Sequence, residues 1–236
     1  GRFAPRLQDA IVSRIGITSL RPVQEAAGAA VLDGNNAVIL APTAGGKTEA
    51  ALMPVLSHML QESWTGLSVL YICPIKALLN NLEIRLTHYA GLVGRRVAVW
   101  HGDVSDSRKR KVLSDPPDIL LTTPESLEGM LISRRVERQA WFGNVRTAIV
   151  DELHAFAVDD RGWHLRAVLA RVERYAPGPV QRIGLSATVS NPEELLSWLA
   201  PKGERAVVGS SRVSTDADVT IDYVGSLENA AIVIDR

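Results

Sequence analysis

Cysteine is nearly absent: Cys73 is the only one among 236 residues. No internal disulfide and no multi-cysteine metal centre can therefore form. This scarcity fits a reducing compartment, and the expected location is the cytoplasm. Long apolar runs are also missing, since stretches such as residues 37–41 are far too short to span a membrane. The first twenty residues carry Arg2, Arg6, Asp9 and Arg14 with no apolar core between them, so no secretory signal is visible. There is no net charge, with 26 basic groups against 26 acidic ones. A whole-molecule positive field for nucleic acid is thus excluded, and any such binding must use local patches. Lysine is scarce, at five residues against 21 arginines. Arginine's planar fork suits phosphate, but a GC-rich genome gives the same bias, and both readings stand. No internal repeat, no low-complexity tract and no histidine–cysteine–aspartate set with zinc spacing is found.

What remains is an ordinary globular composition, 46% apolar and 22% charged, with ample surface to bury. Short apolar runs alternate with amphipathic stretches along most of the chain. Strands are expected at residues 37–40, 68–72, 96–99, 118–121, 147–150, 181–185 and 206–208. Helices are expected at 47–61, 75–92, 105–113, 124–132, 162–175 and 192–199, with two more at 5–15 and 22–32 before the first strand. The second of these early helices has Pro22 in its first turn and Gly34 as its stop. Because the strands are continuous apolar runs separated by helices, the fold class is α/β. The sheet is doubly wound and mostly parallel, with helices on both faces. Residues 210–216 are polar and read as a linker. A possible strand at 219–224 and a short helix from Ser226 follow, and the sequence stops at Arg236 inside an element, as a shortened chain would.

Three segments carry chemistry. Ala41-Pro42-Thr43-Ala44-Gly45-Gly46-Lys47-Thr48 follows an expected strand and opens an expected helix. Small residues let backbone N–H groups close on phosphates; Lys47 then reaches the β/γ oxygens and the Thr48 hydroxyl suits Mg²⁺. Ala41 stands where the general motif has its first glycine. Asp151-Glu152-Leu153-His154 begins where a strand ends, at the sheet edge where such folds bind ligands. Its two carboxylates can divide the work, Asp151 on Mg²⁺ and Glu152 on the attacking water. Ser186-Ala187-Thr188 lies just past another strand and, alone, reads as a helix cap.

Taken in order with Thr122-Thr123-Pro124-Glu125-Ser126, these segments resemble superfamily 2 helicases over roughly residues 6 to 209. The resemblance implies a RecA-like P-loop NTPase domain at 1–209, with 210–236 as linker and start of a second motor domain. It implies ATP and Mg²⁺ as cofactors, with Gln24 reading adenine and Thr43, Ala44, Gly45, Gly46, Lys47 and Thr48 cradling phosphates. Asp151, Glu152 and Lys47 would be catalytic, Thr48 and Asp151 the metal ligands, and His154, Ser186 and Thr188 the coupling residues. Lys76 in Pro74-Ile75-Lys76-Ala77-Leu78, with Gly102, Thr123, Pro124, Glu125 and Arg161, would hold nucleic acid.

Finer matches at residues 101–105, 161–165 and 185–195 are similar to large helicase-related (Lhr-type) proteins. These imply a DNA translocase moving 3′ to 5′ on single-stranded or partly duplex substrate, DNA favoured over RNA. DELH in place of DEAD sets the chain apart from the DEAD-box RNA helicases, and the aromatic residue those enzymes carry upstream of the glutamine is not evident. An RNA helicase, a double-stranded DNA translocase, and an ATP-binding switch that does not translocate are the alternatives. A phosphotransferase would leave residues 122–126 and 186–188 without explanation. Every relative carries its arginine fingers on a second RecA-like domain. Residues 1–236 alone, read as a monomer that touches no membrane, are therefore expected to bind Mg·ATP weakly and unwind nothing. His101 and His164 read as structural. The run Arg108-Lys109-Arg110-Lys111 is either a solvated helix face or a set of phosphate contacts, and Arg134, Arg135 and Arg138 read the same way. Trp163 could stack on a base or simply pack.

Overall fold

The computed structural model describes residues 2–42, 45–157 and 160–209. Thr43 and Ala44 of the phosphate loop, and the linker, strand and helix expected beyond residue 209, lie outside the described residues.

Seven strands form one all-parallel sheet: β1 (Asn36–Leu40), β2 (Val69–Ile72), β3 (Val97–Trp100), β4 (Ile119–Thr122), β5 (Thr147–Val150), β6 (Gln181–Ser186) and β7 (Arg205–Val208). Their order is β3-β4-β2-β5-β6-β1-β7. Helices connect them: α1 (Pro5–Ala10), α2 (Pro22–Leu32), α3 (Lys47–Gln61), α4 (Lys76–Leu92), α5 (Asp106–Ser114), α6 (Pro124–Ile132), α7 (Arg138–Phe142), α8 (Asp160–Glu173) and α9 (Pro192–Leu199). None is long and apolar enough to cross a membrane.

Side chains along a strand point alternately to opposite faces, and here both faces are apolar. Ile39, Tyr71, Leu121, Ile149 and Leu185 pack on one side with α1–α4. Leu40, Ile72, Leu120, Val150 and their neighbours pack on the other with α6–α9. Fully buried strands therefore read as unbroken apolar runs rather than alternating ones.

Three differences from the sequence expectation have local causes. The helix expected at 5–15 splits into α1 and a π-helical turn, Ile11–Ile15, which ends at Gly16 with φ +76°. β3 and β4 each begin one residue later than expected because Asp118 caps the pair. Its Oδ2 accepts from the Arg96 backbone N–H at 2.8 Å and its Oδ1 pairs with Arg95 at 3.1 Å. Helix α7 was not expected; it is a single turn, capped where the Glu137 carboxylate accepts from the Gln139 and Ala140 N–H groups.

Candidate functional site

All seven strands run the same way, so their C-terminal ends share one edge, where open α/β sheets bind ligands. The sequence-derived site residues gather there in two groups. The loops after β1, β5 and β6 occupy one half of the edge, and those after β2, β3 and β4 the other.

In the first half, Gly46 caps α3 in the left-handed region, with φ +81°. A Cβ on it would lie 2.6 Å from Gln24 Nε2, so glycine is needed both for the turn and for the close approach. Gln24 is buried at the third position of α2. Its Oε1 accepts from the Arg21 backbone N–H at 3.0 Å and its Nε2 lies 3.5 Å from the Gly46 carbonyl, so it links α2 to the phosphate loop. Lys47 Nζ donates to the Ala41 carbonyl at 2.9 Å across that loop. Thr48 is buried in the first turn of α3. Such a helix start directs unpaired N–H groups and the positive end of its dipole at an anion.

Asp151 is 8% exposed. Its Oδ2 accepts from the Tyr71 hydroxyl at 3.0 Å and its Oδ1 from the Glu152 N–H at 2.9 Å. Burial pushes its carboxyl above the usual range, against the pull of those two hydrogen bonds, and the charge of Glu152 adds to the rise. The Lys47 ammonium acts the other way, so the two groups feel each other across the loop.

Glu152 has φ +47°, a left-handed conformation unusual for a residue with a side chain and costing on the order of 1–3 kcal/mol. That backbone turns its carboxylate toward His154, whose Nε2 lies 3.5 Å from Glu152 Oε2. His154 Nδ1 in turn lies 3.2 Å from the Oγ of Ser186, which is fully buried at the end of β6. Glu152, His154 and Ser186 thus form a polar chain from the loop after β5 to the loop after β6. Thr188 follows two residues later, half-buried. Leu40 and Ser186 are register partners, so this chain ends directly beside the phosphate loop.

The position of the loop depends on Gly184, one strand residue before Leu185. A Cβ there would meet Leu153 Cδ2 at 2.3 Å and Leu199 Cδ2 at 3.0 Å. Gly184→Ala is expected to push Leu153, and with it Glu152 and His154, off the sheet. Overpacking of this kind costs ~1–3 kcal/mol, and each kcal/mol lowers the melting temperature of a domain this size by about 2–4 °C. Thermal melts checked against hydrolysis rates test it; an unchanged melt and unchanged turnover would show that Leu153 sets nothing.

The second half of the edge holds a cavity of about 730 Å³. Lys76, Gly102, Thr123, Glu125 and Arg161 all line it. Lys76 pairs with Asp103 at 2.9 Å. Arg161 forks onto Glu125 Oε1 at 2.8 and 3.0 Å and donates to the Pro74 carbonyl at 2.6 Å. Burial raises the Glu125 carboxyl, but its own backbone N–H, Arg161 and the Thr123 hydroxyl hold it net below the usual range. Thr123 Oγ1 caps α6 by accepting from the Ser126 N–H at 3.3 Å. Pro124 is buried at the first position of α6 and does not line the cavity. Trp163 is 64% exposed with Arg166 over its ring at 5.0 Å, and it does not line this cavity. Arg138 Nε serves the Leu131 carbonyl, a structural use. Neither Arg134, Arg135 nor Arg138 lines the cavity.

Tyr71 and Asp103 are not marked by the sequence, and Lys109 is marked only as one member of the basic run at 108–111. Tyr71 sits within an apolar run, and only its partner Asp151 reveals a polar task. Asp103 and Lys109 matter only once three connections converge.

The two halves meet at the β2–β5 seam, where Tyr71 of β2 holds Asp151 and Arg161 of α8 holds the Pro74 turn. A glycine-rich loop opening a helix, an acidic pair and a polar chain on one parallel edge define a RecA-like P-loop domain. Comparison with known proteins agrees. The DEAD/DEAH box helicase family matches residues 21–195. The Lhr helicase/probable uracil glycosylase of Mycolicibacterium smegmatis is 37% identical, covering 89% of this chain and 15% of its own length. The ATP-dependent DNA helicase Hel308 of Pyrococcus horikoshii is 35% identical over 85% of this chain and 26% of its own length. Among solved structures, Mycobacterium smegmatis helicase Lhr bound to ssDNA and AMP-PNP superposes with a TM-score of 0.75 at 36% identity, covering 88% of this chain and 28% of that one. The DEAD-box helicase Mss116 shares the fold with a TM-score of 0.77 at 19% identity. The chain belongs to the DEAD/DEAH box helicase family, and it spans a small part of the length of these relatives.

Proposed function

We propose that this chain is the first, ATP-binding motor domain of an ATP-dependent DNA helicase that works in the cytoplasm and moves 3′ to 5′ on its substrate. One observation supports this most: the nucleotide half and the strand half share one sheet edge and are physically joined at the β2–β5 seam, through Tyr71–Asp151 and Arg161–Pro74. A change at one site therefore has a short path to the other. The relatives named for helicase activity, including one seen with ssDNA and AMP-PNP, support the same reading.

Gln24 would read adenine, Gly45, Gly46 and Lys47 would hold the phosphates, and Thr43 and Ala44 would complete the loop. The Thr48 hydroxyl and Asp151 carboxylate are hard oxygen donors of the kind Mg²⁺ takes. Asp151 is also a buried carboxylate short of compensating positive charge, so the pair fits that ion. When bound, Mg²⁺ neutralises charge on the β/γ phosphates. Glu152 accepts a proton from the attacking water and His154 steadies it. Ser186 and Thr188 pass the nucleotide state toward the second RecA-like domain of the full-length protein. Lys76, Gly102, Thr123, Glu125 and Arg161 hold the strand backbone. Contacts of this type carry little sequence information, so binding should be sequence-tolerant and weaken with salt.

The test is the ATPase rate of the full-length protein with single-stranded DNA, with RNA and with neither. Stimulation by DNA above RNA is expected. Equal rates in all three conditions would favour an ATP-binding switch, and stimulation by RNA alone would move the substrate to RNA.

A further inference from the structure

The basic run at residues 108–111 has four members, and the structure separates them. Arg108 is tied to Glu83 of α4. Arg110 and Lys111 are exposed on the outer side of α5. Lys109 is the half-buried member, one helical turn before the buried Val112, and so it lies on the inward side of α5. Its chain lines the same 730 Å³ cavity as Lys76 and Arg161. Its Nζ donates to the Gly102 carbonyl at 2.8 Å, and a Cβ on Gly102 would lie 3.3 Å from Lys76 Nζ. Two ammonium groups therefore approach Gly102, one at its carbonyl and one at the position a side chain would take.

Charge pairing sets Lys109 apart. Lys76 is paired with Asp103 and Arg161 with Glu125, so a phosphate approaching either must compete with a carboxylate already in place. Among the described residues, Lys109 forms no ion pair: its hydrogen bond goes to a neutral carbonyl, and the Asp103 carboxylate, which also feels its charge, is paired with Lys76. Exchanging that carbonyl for a charged phosphate oxygen replaces a neutral acceptor by a charged one and strengthens the bond. The absence of a side chain at Gly102 leaves the space between the two ammonium groups open to a strand backbone.

We infer that Lys109 is a phosphate-binding residue of the nucleic-acid track, gripping the backbone beside Gly102 together with Lys76. This rests on the reading of the cavity as a strand-binding cleft. Each ammonium–phosphate contact on a single strand contributes about 0.7 to the slope of log K against log salt. Removing one contact should reduce the slope by that amount, so the deficit of the variant shrinks about 2.5-fold between 50 and 200 mM salt.

The experiment compares binding of single-stranded DNA to the full-length protein and to Lys76→Gln, Lys109→Gln, Arg110→Gln and Lys109→Arg variants across a salt series. Arg110→Gln removes the same charge from the same helix without touching the cavity. Lys109→Gln is expected to lower the slope by about 0.7 and Arg110→Gln to leave it nearly unchanged, with Lys109→Arg restoring most of the affinity. ATP binding, measured in parallel, should be the same in all four variants, which separates a lost contact from misfolding. In the wild-type protein, bound DNA should shield Lys109 from an amine-reactive reagent while Lys111 stays reactive. If Lys76→Gln weakens binding but Lys109→Gln matches Arg110→Gln, the assignment of Lys109 falls while the cleft stands. If neither Lys76→Gln nor Lys109→Gln has an effect, the cleft itself is misassigned and the inference falls with it. Equal labelling of Lys109 with and without DNA would likewise overturn it.

Discussion

Glu152→Gln in the full-length protein is expected to bind Mg·ATP nearly as well as the native enzyme and to hydrolyse it about 10²–10⁴-fold more slowly, the usual contribution of a positioned general base. The geometry makes this variant clean. The Glu152 backbone makes the contacts that set the loop, its N–H to Asp151 Oδ1 at 2.9 Å and its carbonyl accepting from the Ala155 N–H at 2.8 Å. Glutamine keeps both, along with the shape of the side chain, and can still hydrogen-bond His154. Only the basic oxygen is lost. Calorimetry for nucleotide binding and a steady-state phosphate-release assay separate the two effects. Turnover at the native rate would remove Glu152 from the chemistry, while loss of binding would mean that the left-handed backbone had collapsed.

Lys47→Ala is expected to weaken ATP binding by roughly 10- to 150-fold, which corresponds to ~1.5–3 kcal/mol for a hydrogen bond to a charged group. A second consequence concerns Asp151. Burial already raises the Asp151 carboxyl, and the Lys47 charge is one of the influences that restrain the rise. Without that charge the carboxyl moves further up, so the variant needs a higher pH than the native protein to keep Asp151 ionised. Metal-dependent nucleotide binding should therefore fall off sooner as pH is lowered. Calorimetric titration at several pH values checks both parts; unchanged affinity at neutral pH would sink the assignment of the loop.

Most of the architecture was legible because the sheet is buried on both faces. Apolar runs such as 147–150 cannot be a half-exposed strand, and helices α2, α3, α6 and α9 begin at a proline or just after a glycine that marks their start. Errors arose where one polar side chain decides a boundary. Asp118, reaching back to Arg95 and Arg96, moves two strands by one residue. The widened turn at Ile11–Ile15 keeps an apolar face close enough to α-helical spacing that periodicity alone does not mark the change. The pieces of the proposed nucleotide site stand out in the sequence because each is contiguous: a loop, an acidic pair and a serine, each at a strand end. The proposed strand cleft stands out only in part. Lys76, Gly102, Thr123, Glu125 and Arg161 lie in separate connections, and what pairs with what is a property of the folded edge. The partner of Lys76 and the contact of Lys109 with the Gly102 carbonyl follow from the convergence of α4, α5 and the loop after β3, which no local pattern announces.

The common direction of the strands also gives the domain a working end and a handling end. Among the described residues, the groups proposed for the site sit at one edge, and the turns at the other lie outside it. The turn at residues 177–179, between α8 and β6, is exposed, and Gly178 has no neighbour within 4 Å of where a Cβ would stand. It lies just before the start of β6, whose six residues end at Ser186, about 20 Å of extended chain away. Insertions succeed best at exposed, uncrowded loop tips of this kind. A dye, an affinity tag or a surface tether can therefore be attached there, and the motor can be held from behind while its front is left open to nucleotide and strand.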